Sequence, residues 1–143
     1  MNVLLDTNVV LDVLLKRDPW LADSQAVWQA SDDGLITGYL MAAALTDIFY
    51  IARRLTGRDK ARQAIVLCMT AFRICPVDRA VLEQALLLPG DDFEDAVQIA
   101  AAMHVGLDAI VTRNPTDFSG TPMLVMSPST LIVRLQQGSD FAE

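Results

Sequence analysis

The sequence predicts one α/β domain, residues 1–143, with a central, mainly parallel sheet of about five strands and helices on both faces. Three observations carry this. Short apolar runs such as Val3-Leu4-Leu5 and Ala109-Ile110-Val111 alternate with longer segments of helical character. Proline, glycine and aspartate punctuate those segments where helices start and stop, and no repeat, low-complexity tract or flexible linker interrupts them. A length of 143 residues fits one domain and is short for two.

Taken in order, Asn2 to Leu5 reads as the first strand and about Asn8 to Lys16 as the first helix. Asp18-Pro19 reads as an N-cap followed by proline at the first helical position, opening a second helix that ends near Gly34. Leu35-Ile36-Thr37 is the predicted second strand, and Tyr39 to Leu55 a long helix stopped by Gly57. A further helix covers about Asp59 to Thr70, and Phe72 to Cys75 is a strand ended by Pro76. Asp78 caps a helix through about Leu87, and Pro89-Gly90 breaks the chain. Asp91-Asp92-Phe93-Glu94 then resembles a capping box opening a helix to Gly106. Its run from Ala96 to Met103 is apolar nearly all round, so it should lie buried against the sheet. Ala109 to Val111 and Met123 to Val125 are the last strands, and Ser127-Pro128 opens a final helix through about Gln137.

Composition narrows the function classes. No apolar stretch approaches the roughly 20 residues of a membrane span, and the first residues lack the basic region and cleavage site of a signal peptide. The expectation is a cytoplasmic protein with no membrane association. Cys68 and Cys75, one in a predicted helix and one in a strand, read as reduced buried thiols. A net charge of −7 opposes tight nonspecific binding of nucleic acid. The cations are nevertheless concentrated: Arg53, Arg54, Arg58, Lys60 and Arg62 crowd one segment, read as a solvated helix end ahead of a specific RNA contact.

The acids are 15 Asp against 3 Glu, a bias toward caps, turns and metal sites. Asp6 directly follows a buried strand, where a carboxylate must be paired, coordinated, capping or open to a cleft. Thr7 or Asn8 can cap the helix instead, which leaves Asp6 for a ligand; Asp12, one turn beyond Asn8, reads as a supporting or surface residue. Asp91, Asp92, Glu94 and Asp95 exceed what capping one helix needs, and Asp95 falls nearest the buried face. Asp47, among Ala44, Leu45, Ile48 and Phe49, calls for a metal or a charge partner such as Arg54. In Thr112-Arg113-Asn114-Pro115-Thr116-Asp117, Asn114 or Asp117 can complete a cation site, while Thr112 and Arg113 can hold a phosphate oxygen. His104, the only histidine, reads as a packing or dipole residue at a helix end.

Leu4-Leu5-Asp6-Thr7-Asn8-Val9, Asp92-Phe93-Glu94-Asp95-Ala96 and Val111-Thr112-Arg113-Asn114 through Asp117-Phe118, in that order, resemble the PIN-domain family, the fold of the VapC toxins and related nucleases. Each motif alone is weak; the combination spans essentially the whole chain. The segment from Gly38-Tyr39 to Tyr50 is most similar to a PIN subgroup of predicted nucleic-acid-binding proteins. The resemblance implies a three-layer fold and a ribonuclease with an acidic Mg²⁺ or Mn²⁺ site, often the toxin of a toxin–antitoxin pair. By position, Asp6, Asp47 and Asp95 match the family's first three acids, although the second is usually Glu. The fourth commonly follows Thr-Arg directly, where this chain has Asn114; either Asn114 takes that role or Asp117 does.

The resulting expectation is hydrolysis of an RNA phosphodiester, with Asp6, Asp47, Asp95 and Asp117 as catalytic and metal-holding residues and Asn8, Thr112, Arg113 and Asn114 toward the substrate. Without metal, such carboxylates should repel one another and their pKa values should rise. A homodimer and a cognate antitoxin are the expected partners. Two rival readings remain: a non-catalytic PIN domain that binds nucleic acid or protein, and an aspartyl-nucleophile phosphatase. The phosphatase would want a second acid two residues after Asp6, where Asn8 stands.

Overall fold

The computed structural model describes residues 1–118 and 120–141, with side chains as far as Gly138. Five parallel strands form one sheet in the order β3-β2-β1-β4-β5: β1 (Asn2–Leu5), β2 (Thr37–Met41), β3 (Arg73–Cys75), β4 (Ala109–Val111) and β5 (Leu124–Met126). Leu4 is in register with Tyr39 on one side and Ile110 on the other. Val3, Leu4 and Leu5 are at most 1% exposed and all of β4 is 0% exposed, which explains why these strands read as continuous apolar runs.

Alternation along β1 sorts the core into two halves. Val3 and Leu5 pack under α1 (Thr7–Leu14), α2 (Leu21–Asp32), α3 (Ala42–Thr56), α4 (Arg58–Ala71) and α7 (Pro128–Phe141). Leu4 and Ile110 face α5 (Arg79–Leu87) and α6 (Phe93–Val105). The result is the expected three-layer arrangement. Helix α6 is buried continuously from Ala96 to Ala102, and Gly106 ends it in the left-handed conformation at φ 78°, a backbone that disfavours a side chain.

The structure corrects two boundaries and one burial. Strand β2 is Thr37–Met41, not Leu35 to Thr37, and it takes the predicted first turn of α3 into the sheet. The Asp18-Pro19 bond is cis, and neither residue opens a helix; α2 starts at Leu21 with no side-chain cap. Asp12 is not at the surface: it is 0% exposed.

The chain runs outward from β1 to β2 and β3, then crosses back to place β4 on the other flank of β1. The sheet order reverses there, so the carboxyl ends of β1 and β4 bound the crevice where ligands bind in open parallel sheets. Asp6 leaves β1 and Thr112 leaves β4 at that crevice. No helix among the described residues is long and apolar enough to cross a membrane.

Candidate metal centre

Asp6 occupies the N-cap position of α1, yet its side chain makes no capping bond; its backbone carbonyl accepts from Val9 instead. The carboxylate, 7% exposed, turns into the crevice. Oδ1 accepts from Nε2 of Gln98 and Oδ2 from Oγ1 of Thr112, each at 2.9 Å. These bonds fix Asp6 between α6 and the end of β4. Two buried oxygens beside it, Oγ1 of Thr7 and Oε1 of Gln98, lack a hydrogen-bond partner.

The N-terminus of α6 brings the next acids. Asp92 is the cap, its Oδ1 accepting from the backbone of Asp95 at 3.1 Å, which leaves Glu94 and Asp95 free of that duty. Burial and the charges of Asp92, Asp6 and Asp117 push Asp95 up to about 6. Burial, the charges of Asp47 and Asp6, a hydrogen bond with Asp47 and the charge of Asp92 push Glu94 up to about 7. Glu94 and Asp95 are thus both within electrostatic reach of Asp6, with Asp47 on the side of Glu94 and Asp117 on the side of Asp95. A cleft of about 450 Å³ holds Asp92, Asp95 and Asp117 on one side. A second, of about 380 Å³, holds Thr7, Asn8, Asp47, Tyr50 and Glu94.

The other expected substrate groups are placed differently. Oγ1 of Thr112 donates to Asp6 and accepts from the backbone of Asn114 at 3.2 Å, so it is a buried brace for the site. Nη1 of Arg113 is 3.0 Å from Oδ1 of Asp12, and the guanidinium lies 3.9 Å from the ring centre of Trp20. Arg113 is thereby held at Asp12, away from the carboxylates. Asn114 is exposed in the turn before the 3₁₀ segment Pro115–Phe118 that carries Asp117. His104 is exposed in the last turn of α6.

Sequence reasoning passed over Glu94 and Gln98. Glu94 stood among four acids at one helix start, where capping and the helix dipole already account for acids. Gln98 carried a signal in being the one polar residue within the apolar run of α6.

The donor set is made of hard oxygen ligands, which suits Mg²⁺ or Mn²⁺. The raised carboxylates add to this, because a cation relieves the repulsion that raises them. Among the described residues no three such side chains are already assembled at ligating distance.

Comparison with known proteins bears on the family and the fold. The PIN domain family model matches residues 2–116. A chain of the DNA-bound VapBC complex from Salmonella typhimurium superposes with a TM-score of 0.70 at 14% identity, over 90% of this chain and 98% of that one. A chain of a toxin–antitoxin complex from Klebsiella pneumoniae gives 0.65 at 22% identity, over 88% and 97%. The sarcin-ricin loop cleaving toxin VapC20 from Mycobacterium tuberculosis gives 0.61 at 17% identity, over 76% and 86%. These likenesses establish the shared fold. No curated protein matches the chain.

Proposed function

The chain belongs to the PIN-domain family, and from that premise we propose that it is a metal-dependent endoribonuclease, the toxin of a toxin–antitoxin pair. One observation carries the reading: at the switch point of the sheet the start of α6 presents Asp95 and Glu94, raised to about 6 and about 7 by burial and by the charges of Asp6, Asp47, Asp92 and Asp117 around them. Structural carboxylates are ordinarily neutralised by basic partners. Here Asp12 has Arg113 and Arg17, whereas Asp6, Asp47, Glu94, Asp95 and Asp117 make no ion pair among the described residues.

Asp6, Asp95 and Asp117 would hold the ion, with Asp47 and Glu94 directly or through water. Bound there, Mg²⁺ or Mn²⁺ lowers the pKa of water and offsets charge on the phosphate. Thr112 and Gln98 orient Asp6, and the Asp92 cap fixes the first turn of α6 that presents Glu94 and Asp95. Glu94, beside Asp47 in the same cleft, would be placed to take the proton from the attacking water on a carboxylate oxygen. Asn8 borders the cleft of Asp47 and Glu94, and Asn8 and Asn114 would contact the strand. Attack on phosphorus breaks the bond to the 3′ oxygen and leaves a 5′ phosphate; the ribose 2′-OH is not required, so single-stranded DNA is also a chemically competent substrate.

The same proposal includes a cytoplasmic setting, a homodimer and an antitoxin partner. Val66, Leu67 and Met69 of α4 and Leu86 and Leu87 of α5 are 50–85% exposed, apolar surface suited to a protein partner.

The test is cleavage of mixed-sequence single-stranded RNA with Mn²⁺, with EDTA, and by Asp6→Asn with Mn²⁺. Cleavage should need both the metal and Asp6. Calorimetric binding of Mn²⁺ without cleavage would favour the non-catalytic reading; absence of metal binding would end the acidic-site argument.

A further inference from the structure

The proposed substrate is a polyanion, yet its reaction crevice is a concentration of carboxylates in a chain of net charge −7. Capture must therefore use positive charge held elsewhere. Five of the eleven basic residues lie between Arg53 and Arg62, against one acid, Asp59. All five are exposed, and none makes an ion pair among the described residues. The helix dipole accounts for Arg53 and Arg54 in the last turn of α3, but not for Arg58, Lys60 and Arg62 at the start of α4, where cations are disfavoured.

The geometry links this segment to the crevice. Helix α3 carries Asp47 at the crevice and ends in Arg53 and Arg54. At 100° per residue, Asp47, Tyr50, Ile51 and Arg54 form one stripe, and the helical rise puts Arg54 about 10 Å from Asp47. Tyr50 lies between them, 65% exposed while lining the same cleft as Asp47 and Glu94. An exposed ring with cations one turn further along, here Arg53 and Arg54, is the combination by which single strands are bound without base readout: bases stack and phosphates pair with the cations. Gly57, at φ 92°, then turns the chain into α4, whose first two turns add Arg58, Lys60 and Arg62 beside the end of α3.

We propose that the Tyr50–Arg54–Arg58 face is the track for a single nucleic-acid strand leading away from the crevice, with a base stacked on Tyr50 and the next phosphates on Arg54 and Arg58. This rests on the reading of the crevice as a nuclease site, which Mn²⁺-dependent cleavage tests separately.

The experiment is fluorescence anisotropy of a fluorescein-labelled, mixed-sequence single-stranded RNA in EDTA, titrated across a range of KCl. Cleavage with Mn²⁺ is measured in parallel. Arg54→Ser/Arg58→Ser should weaken binding on the order of ten-fold at low salt and reduce the salt slope by about 1.4, two phosphate contacts on a single strand. Tyr50→Ala should weaken binding about five-fold or more with the slope unchanged, and Tyr50→Phe should restore it. The control Arg73→Ser/Arg134→Ser removes the same charge at exposed positions elsewhere and should change little. If wild type cuts RNA while both track variants bind as it does, the track is wrong and the nuclease stands; the basic face then serves another polyanion, such as an acidic partner peptide. Equal losses in the control and the track variants would show general charge rather than a track, and would overturn the proposal. If the track variants lose binding but wild type cuts nothing, the strand-binding face stands and the nuclease reading falls. If wild type neither binds nor cuts, both fall.

Discussion

Two buried aspartates six residues apart are handled by the fold in opposite ways. Asp6 is held by neutral donors, Gln98 and Thr112, whereas Asp12 is held by arginines: Arg113 at 3.0 Å and Arg17 at 3.8 Å. For Asp12 the loss of solvent outweighs both cations and raises its pKa. The pair is therefore weak as a source of stability and costly to break on one side. Arg113→Ala should destabilise the protein by about 3–5 kcal/mol in urea unfolding, because it strands a carboxylate that is 0% exposed. A loss below about 1 kcal/mol would mean that Arg17 or water takes over. Thr112→Val keeps the side-chain shape and removes one bond to Asp6, worth about 1.5–3 kcal/mol for a charged acceptor. Metal affinity and cleavage should both drop in this variant, while Ser at the same position should retain them.

At the scale of elements, most of the fold was legible because parallel strands buried on both faces leave continuous apolar runs, and because Asp78, Asp92, Gly57 and Gly106 mark helix ends. The failures have local causes. Strand β2 passes into α3 at Met41 with no turn residue between them, and Leu40-Met41-Ala42-Ala43-Ala44 is good helix sequence throughout. Only partners on both sides, Asn2 to Leu4 in β1 and Arg73 to Cys75 in β3, decide that 37–41 is strand. Helix α2 begins at Leu21, two residues beyond the proline and with no side-chain cap, so its start carries no sequence signal. Gly38 marks where β2 passes closest to its neighbours: a Cβ there would lie 2.7 Å from Cδ1 of Phe72 and 3.0 Å from Oγ of Ser31. Phe72 is itself wedged edge-on against Trp28, with ring centres 4.7 Å apart, and has little room to yield. Gly38→Ala should therefore cost about 1–3 kcal/mol by overpacking, read as a lower denaturant midpoint at an unchanged m-value. A neutral result would show that the Phe72 ring can move.

Across the whole molecule, the order of the strands creates the site, and this explains what the sequence could and could not show of it. Asp6 and the β4 turn were readable as chain ends of buried strands. That Thr112 braces Asp6, that Arg113 turns to Asp12, and that Glu94 joins Asp47 all depend on β4 lying beside β1 with α6 across them, contacts more than 45 residues apart in the chain. The same convergence sets a pH dependence. Glu94 and Asp95 have folded-state pKa values of about 7 and about 6, against ordinary values of 4.5 and 3.8. Between the unfolded and folded values the native state binds more protons than the unfolded chain, so stability falls as pH rises through this window. Asp12 is shifted in the same direction. Both cleft acids reach solvent, which moderates the effect without changing its sign. The metal-free protein should therefore melt at a higher temperature at pH 5 than at pH 7.5. With Mn²⁺ the trend should reverse, since ligation needs ionised carboxylates and stabilises the folded state by mass action. Asp95→Asn removes one titrating charge and should flatten the metal-free trend and weaken the Mn²⁺ effect together. A metal-free protein that gains stability from pH 5 to 7.5 would show that the carboxylates do not repel one another as the structure places them.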